Sequence, residues 1–561
     1  MYEQLKNMKT QEQIEWITQY LVGLNSINGT LGEVRIVQEI YRILSTFPYF
    51  QEHPENLWLQ KIPHDPIGRQ NVFALVEGIH HSPQTVLYHS HIDTVAVEDF
   101  GPLKEHAFSP NELETFFRDY DSDPDLQAEA RSGDWMFGRG SVDMKSGAAV
   151  HISNILYFSE HLEELEGNVL LLCNGDEESE HRGMVGALNE LNRIQLELGI
   201  HFITAINTDF ITPLYDNDTN RYIYTGAAGK ILPCFHIYGR EVHVGDTLSG
   251  IDPNFISAKL TERIHNRYKL AENIPGEMVL PPTVLKQRDM KELYTVQTAI
   301  SSHLYFNCFV YEDSVGTILE KFMREAKEAC LEAETYLKTQ FDEYTQVTGL
   351  PTRDLSWKID VTTYEDYVAY LTSRDIDVRA IIDGILAEKQ PGDLRDLCFE
   401  IVSALQAADP EKKARVILFF APPFLPHNYL RAEDDHDTHI QSVISSVLKE
   451  VGDTTGESFE LKKFFPYLAD GSLLSLHEKK DELDPLTQNL PEWGNVYEIP
   501  FDTIKKLNIP SINMGVYGKD GHKWTERVYK PYSFGILPDL IRKTTVRMLE
   551  QQTSMHIPKI G

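Results

Sequence analysis

Hydrophobic positions near the N-terminus recur with the spacing of an α-helix. They comprise Ile14, Ile17, Leu21 and Leu24, and then Ile36, Ile40, Ile43 and Leu44, with the turn-rich NSINGTLGE between the two groups. This pattern predicts two helices joined by a loop. From about residue 71, short apolar runs such as NVFALVEG and NVLLLCNGDEE alternate with helical stretches such as SGAAVHISNILYFSEHL. The alternation predicts an α/β fold with a mixed, mostly parallel sheet covered by helices.

A second type of pattern begins after YTGAAGK at 224–230. A strand, a glycine-punctuated loop and a helix near 253–268 are followed by the strand HLYFNCFVY and a helix from about 314 to 342. These elements are typical of a separate α+β unit, and we expect VILFFAPPFLP at 416–426 to return the chain to the first sheet.

We therefore expect one domain formed by 1–225 and 425–561, with an α+β domain inserted at 226–424. The chain has 561 residues, which exceeds the size at which a single hydrophobic core keeps growing. Two stretches have no role that the sequence reveals, the acidic excursion 101–134 and the extra segment near 345–412.

Charge and cysteine content narrow the class of protein. With 52 Lys and Arg against 85 Asp and Glu, the formal net charge is −33, which disfavours nucleic acid and anionic membrane surfaces as partners. The five cysteines show no CxxC spacing and indicate reduced thiols. Because no apolar run suggests a leader or a membrane span, we expect a cytoplasmic protein.

Polar residues with metal-binding chemistry follow several of the apolar runs. His91 and Asp93 end one run, and Glu177 and Glu178 follow another. Residues two apart on a strand share a face, so His91 could bind a metal ion while Asp93 orients its ring. One glutamate could bind metal while its neighbour acts as a general base. Taken singly, a hydrogen-bonded strand end is the alternative explanation for His91 and Asp93, and solvated charge is the alternative for the two glutamates.

Three further segments complete the set of candidates. Asp143 in GRGSVDMKSG precedes a predicted helix, Asp209 ends the run FITAINTDF, and GKDGHKWTE supplies His522 and Glu526. Asp143 could bridge two cations, although a helix cap is the alternative. Together, these imidazoles and carboxylates form a mixed nitrogen and oxygen ligand set suited to Zn²⁺, Co²⁺ or Mn²⁺.

The order and spelling of these motifs resemble the M20 metallopeptidase and aminoacylase family. The matching segments are SINGTLGE, SHIDTV, GRGSVDMKSG, GDEESEHRGM, NTDF and GHKWTERV. Chain length and motif spelling are most similar to the arginine-utilisation (RocB-type) branch. The resemblance implies a zinc-exopeptidase-like catalytic domain and an inserted lid or dimerisation domain, so a homodimer through the lid is an expectation.

The resemblance also implies a role for each candidate residue. In the metal site, His91 and Asp209 would bind one ion, Glu178 and His522 the other, and Asp143 both. Around them, Glu177 would be the general base, Asp93 would orient His91, and Glu526 would support the site. In GREVHVGDTLSGIDPNFISAKL, His243 matches a histidine that stabilises the oxyanion, and Asn254 matches a family asparagine.

The resulting hypothesis is a dinuclear metal-dependent amidohydrolase or exopeptidase that acts in amino-acid catabolism, in particular of arginine. It would use two divalent ions, with Zn²⁺ as the first expectation, and a small peptide or an N-acyl amino acid as substrate. Two departures leave the substrate open: Asp209 stands where many family members have glutamate, and HLYFNCFVY lacks the arginine that grips a substrate carboxylate. The alternative is a non-catalytic binding or regulatory protein that keeps the fold.

Overall fold

The computed structural model describes residues 1–274, 277–388, 392–467 and 469–552. The described residues form two compact units. The first unit comprises Met1–Ala228, His427–Leu476 and the chain from Pro500 onward, and the second comprises Gly229–Pro426 and His477–Ile499. Each unit has its own sheet and its own hydrophobic core.

The strands in chain order are β1 (Leu57–Lys61), β2 (Gln70–Glu77), β3 (Gln84–His91), β4 (Trp135–Phe137), β5 (Asn168–Asn174), β6 (His201–Asn207), β7 (Arg221–Tyr224), β8 (Gly226–Ala227), β9 (Gly229–Tyr238), β10 (Asn273–Ile274), β11 (Glu277–Met278), β12 (Thr283–Asp289), β13 (Ser301–Val310), β14 (Asp360–Thr363), β15 (Arg415–Leu425), β16 (Asn428–Tyr429), β17 (Phe459–Lys462), β18 (Ser511–Asn513), β19 (Gly518–Lys519) and β20 (Arg527–Tyr529).

The α-helices are α1 (Tyr2–Leu5), α2 (Thr10–Val22), α3 (Leu31–Leu44), α4 (Pro48–Glu52), α5 (Pro110–Arg118), α6 (Pro124–Ser132), α7 (Lys145–Glu160), α8 (Arg182–Glu197), α9 (Pro253–Ile264), α10 (Val315–Thr348), α11 (Tyr364–Thr372), α12 (Val378–Glu388), α13 (Leu394–Ala408), α14 (Asp435–Thr455), α15 (Lys480–Asn489), α16 (Phe501–Leu507) and α17 (Leu537–Gln552). Short 3₁₀ helices span Pro54–Asn56, Glu98–His106, Leu162–Glu164, Val244–Ser249, Tyr268–Leu270 and Asp470–Leu474, and a π-helix spans Pro531–Ile536.

The first unit contains an eight-stranded sheet in the order β1-β2-β5-β3-β6-β18-β7-β17. Its central strand β3 pairs in parallel with β5 and β6, and β18 pairs in parallel with β6. Every residue of β3 and β5 is buried, as expected for parallel strands with both faces covered. The predicted α/β class and mostly parallel sheet are therefore confirmed.

The helices predicted from the N-terminal pattern are present as α2 and α3. Thr30 caps α3 by accepting a hydrogen bond from the backbone N–H of Gly32, a common way to satisfy a free donor at a helix start. The apolar positions Ile36, Ile40 and Ile43 are fully buried. The loop between α2 and α3 approaches the sheet, because Ser26 donates to the carbonyl of Ile92 just beyond β3.

The second unit contains a five-stranded sheet in the order β12-β13-β9-β15-β14. The expectation that 416–426 returns the chain to the first sheet was wrong, because β15 pairs with β9 and β14 instead. The extra segment near 345–412 contributes to this unit directly, since β14 pairs in parallel with β15 and α13 packs against β9 and β15. The structure also groups His477–Ile499 with this unit, because α15 contacts α10, α11 and β15. The sequence pattern predicts instead that this segment is part of the domain that contains 425–561.

The acidic excursion 101–134 contains α5 and α6, which contact β4 in the first unit. Phe117 is fully buried there and its ring lies against those of Phe137 and Trp524.

Along the described ranges, no helix is both long and apolar enough to cross a membrane.

The packing of β5 yields a stability prediction. Leu171 is fully buried in β5, whereas Leu196 on α8 is 74% exposed. We expect Leu171→Ala to lower the free energy of unfolding by about 2–5 kcal/mol, because it removes apolar contacts and leaves a cavity. Leu196→Ala should change it by less than about 0.5 kcal/mol. Urea unfolding midpoints test this pair, and equal effects would contradict the observed burial.

Candidate metal centre

Two groups of side chains in the first unit have the composition and spacing of metal ligands. One group is His91, Asp143 and Asp209, and the other is Asp143, Glu178 and His522. Within each group, the candidate ligand atoms all lie within 4.8 Å of one another. Asp143 belongs to both groups, which is the arrangement needed for a carboxylate that bridges two ions.

The parallel sheet brings these residues together. His91 is the last residue of β3, Glu178 follows the end of β5, and Asp209 follows the end of β6. Carboxyl ends of neighbouring parallel strands meet at one edge of a sheet, where ligands commonly bind. Asp143 lies just before α7, and His522 lies in the loop between β19 and β20.

Asp143 contacts both histidines through different oxygens. His91 Nε2 lies 3.1 Å from Asp143 Oδ1, and His522 Nε2 lies 2.9 Å from Asp143 Oδ2. His522 Nε2 is also 3.0 Å from Glu178 Oε1. Two imidazole nitrogens facing carboxylate oxygens at this range form a donor set that fits two divalent transition-metal ions.

The electrostatics of the site also fit bound cations. Burial raises the pKa of Asp209 well above its ordinary value, and the charge of Asp143 adds to the shift. Burial likewise raises the pKa of Glu177, with contributions from Glu178, Asp470 and Asp209 that His91 opposes. Crowded, buried carboxylates ionise readily only when positive charge lies among them. Glu177 Oε1 is buried and has no hydrogen-bond partner among the described residues.

Asp93 links the histidine ligand to the two glutamates. Its Oδ1 accepts a hydrogen bond of 3.2 Å from the backbone N–H of Glu177, and its Oδ2 accepts one of 3.2 Å from that of Glu178. Asp93 Oδ1 also lies 3.6 Å from His91 Nδ1. A single carboxylate therefore fixes the backbone of the glutamate pair beside the imidazole ring.

Glu526 supports the segment that carries Asp143. Its Oε1 accepts hydrogen bonds from the backbone N–H groups of Val142 and Asp143, at 3.2 and 3.3 Å. Its Oε2 accepts a 2.7 Å hydrogen bond from Arg139 Nη1. Both Glu526 and Arg139 are 1% exposed, so this buried ion pair holds the backbone at Asp143 in place.

His243 and Asn254 lie in the second unit and belong to neither ligand group. His243 is exposed, and its Nδ1 accepts a 3.0 Å hydrogen bond from the backbone N–H of Gly245. Asn254 Nδ2 donates a 2.9 Å hydrogen bond to Asp289 Oδ2.

A buried ion pair behind the glutamates could not be predicted from the motifs. Glu33 Oε1 accepts a 3.0 Å hydrogen bond from the backbone N–H of Asp176, and Arg69 Nη2 lies 2.8 Å from Glu33 Oε2. Arg69 also contacts the Asp176 carboxylate at 3.1 Å. Glu33 lies within the SINGTLGE segment, but that motif does not by itself indicate a role for the Glu33 side chain.

Comparisons with known proteins identify the family. The model of peptidase family M20/M25/M40 matches residues 87–389. The chain therefore belongs to the M20 peptidase family. It is 53% identical over 549 residues to protein RocB of Bacillus subtilis (strain 168), covering 98% of this chain and 97% of that protein. Its place in the RocB-type branch follows from this near-complete match.

Other relatives are more distant. The uncharacterized protein YqjN of Bacillus subtilis (strain 168) is 32% identical over 554 residues, covering 98% of each chain. A tripeptidase from Staphylococcus aureus aligns with a TM-score of 0.51 at 13% identity, covering 96% of this chain and 99% of that one. The M20 family metallo-carboxypeptidase Sso-CP2 from Sulfolobus solfataricus gives 0.52 at 10% identity, with 96% and 99% coverage. These two structures show a shared fold.

The hydrogen bonds that Glu526 accepts yield a prediction about metal affinity. Glu526→Gln removes the charge that neutralises Arg139 and replaces one acceptor with an amide donor. We expect the affinity for Zn²⁺ to fall by about 10- to 100-fold, as is typical when a partner of a metal ligand is changed. Isothermal titration of Zn²⁺ measures this, with the exposed neighbour Lys523→Gln as control. An unchanged affinity would show that Glu526 does not influence the metal site.

Proposed function

We propose that this protein is a dinuclear metal-dependent amidohydrolase or exopeptidase that cleaves a peptide or N-acyl amino-acid amide bond. The observation that carries the proposal is Asp143, whose two oxygens each face a different histidine beside the buried Glu177. Membership in the M20 family supports a hydrolase. A small, peptide-like substrate agrees with that family.

The ligand groups suggest how two ions would be held. His91 and Asp209 would hold one, Glu178 and His522 the other, and Asp143 both. The mixed nitrogen and oxygen donors favour Zn²⁺, with Co²⁺ or Mn²⁺ as the alternatives. Two bound ions of this type polarise a carbonyl oxygen and lower the pKa of water.

Glu177 is the proposed general base. Its Oε1 is buried without a hydrogen-bond partner in the described part of the chain, so that oxygen can accept a proton from an attacking water molecule. The same carboxyl then donates the proton to the leaving amide nitrogen. Asp93 keeps Glu177 and Glu178 in fixed orientation through their backbone N–H groups.

His243 and Asn254 complete the proposal from the second unit. We propose that His243 stabilises the oxyanion that forms at the scissile carbonyl, as the family resemblance implies, in this chain or across a homodimer. Its side chain is exposed. Asn254 is proposed as a substrate-binding or supporting residue, and its Nδ2 donates a hydrogen bond to Asp289.

The biological setting is proposed from the branch of the family. A near-complete match to protein RocB and the resemblance to the arginine-utilisation branch support a cytoplasmic role in arginine catabolism. The substrate would then carry an arginine or a related basic amino acid on one side of the cleaved amide.

The base is tested with Glu177→Gln. The amide has nearly the shape of the carboxylate but cannot accept a proton in the same way, so we expect metal content to stay near wild type while turnover is lost. Activity assays with metal analysis measure both. Glu180→Gln in the same loop is the control, because Glu180 pairs with Arg182 at 2.5 Å. Near-normal turnover in Glu177→Gln would exclude Glu177 as the base.

The substrate class is tested with a panel of Xaa-Arg and Arg-Xaa dipeptides, N-acyl-arginine and N-acyl-ornithine. We expect the zinc-loaded protein to hydrolyse one group within the panel and to discriminate against matched compounds that carry alanine in place of the basic residue. Product formation by chromatography is the measurement. No hydrolysis of any member, with metal bound, would favour the non-catalytic alternative.

A further inference from the structure

A buried carboxylate and imidazole lie beside the proposed base. Asp470 is 3% exposed and His181 is 1% exposed. His181 Nδ1 donates a 2.9 Å hydrogen bond to Asp470 Oδ1, since a carboxylate oxygen can only accept. The same Nδ1 lies 4.0 Å from Glu177 Oε1. One N–H donor therefore has two carboxylates in its neighbourhood and bonds only one of them.

The fold holds this pair in place from separate parts of the chain. Asp470 begins the 3₁₀ helix Asp470–Leu474, and its Oδ2 accepts a hydrogen bond from Asn174, the last residue of β5. His181 directly precedes α8 with a φ of 56°, a left-handed conformation that is uncommon outside glycine but is tolerated by asparagine, aspartate and histidine. Its backbone N–H donates to the carbonyl of Asp176 at 2.7 Å.

The position of the Nδ1–H decides what Glu177 can do. At 4.0 Å, the contact with Glu177 is too long for a hydrogen bond, and Glu177 Oε1 keeps a free lone pair. If the imidazole turned toward Glu177, its N–H would occupy the oxygen that has to receive a proton. Asp470 prevents this by offering a nearer acceptor.

We propose that Asp470 is a positioning residue that holds the Nδ1–H of His181 away from Glu177 Oε1. This inference rests on the proposed role of Glu177 as base. It assigns a function to two side chains that lie outside both ligand groups, and it explains why a buried glutamate oxygen next to a histidine has no hydrogen-bond donor of its own in the described chain.

A double-mutant cycle on the zinc-loaded enzyme separates this role from a purely structural one. Asp470→Ala frees the imidazole, so kcat should fall by about 10- to 100-fold with KM and metal content unchanged. His181→Gly removes the side-chain donor, suits the left-handed backbone and should cost less. Adding His181→Gly to Asp470→Ala should restore kcat toward the level of His181→Gly alone, because the blocking donor is gone.

The matched control is His81→Gly, which changes an exposed histidine with a φ of 51° and should leave kcat unchanged. A double variant as slow as Asp470→Ala, or slower, would overturn the proposal and indicate a structural role. Thermal unfolding midpoints are compared for Asp470→Ala and for the double variant. If these midpoints agree, improved folding alone cannot explain a recovered kcat.

A crystal structure of zinc-loaded Asp470→Ala gives a readout that does not depend on activity. We expect His181 Nδ1 within about 3.2 Å of Glu177 Oε1. An imidazole that stays in its original place would refute the proposal even if kcat falls. Glu177→Gln distinguishes failure of this proposal from failure of the base assignment. If Glu177 is not the base, that variant remains active whatever the position of His181.

Discussion

The double contact of Asp143 is the interaction on which the rest of the site depends. One carboxylate with an imidazole at each oxygen requires that β3, the start of α7 and the loop after β19 converge at one edge of the sheet. It also concentrates negative charge, because Asp209, Glu177 and Glu178 lie in the same buried region. Divalent cations balance such a cluster, and their removal would leave it strongly self-repelling.

The surrounding residues hold this cluster rigidly. Asp93 fixes the backbone of the glutamate pair, Glu526 fixes that of Asp143, and Glu33 fixes that of Asp176. In each case a carboxylate accepts hydrogen bonds from backbone N–H groups, so the supporting charge is used to orient the chain. The buried Arg69 and Arg139 compensate two of these carboxylates. A site built in this way is preorganised for cations, and one buried oxygen of Glu177 has no hydrogen-bond partner in the described part of the chain.

Much of the fold, and which residues meet at the candidate metal centre, could be predicted from sequence for a physical reason. Buried parallel strands appear as continuous apolar runs, and their carboxyl ends are where polar side chains follow, as with His91 and Asp209. The place of His477–Ile499 could not be predicted, because an amphipathic helix such as α15 shows which face is buried but not against which core. The role of Asp470 could not be predicted either, since a single aspartate at the start of a short 3₁₀ helix has no periodicity and meets Asn174 across 296 positions of chain.

The central claim is that Asp143 joins two metal sites into one. The most direct measurement is the metal content per chain after loading with Zn²⁺ and gel filtration, for wild type and for Asp143→Ala. The account predicts close to two ions in the wild type and loss of both in the variant, because each ligand group contains Asp143. A wild-type chain that binds no ions, or a variant that retains two, would contradict it.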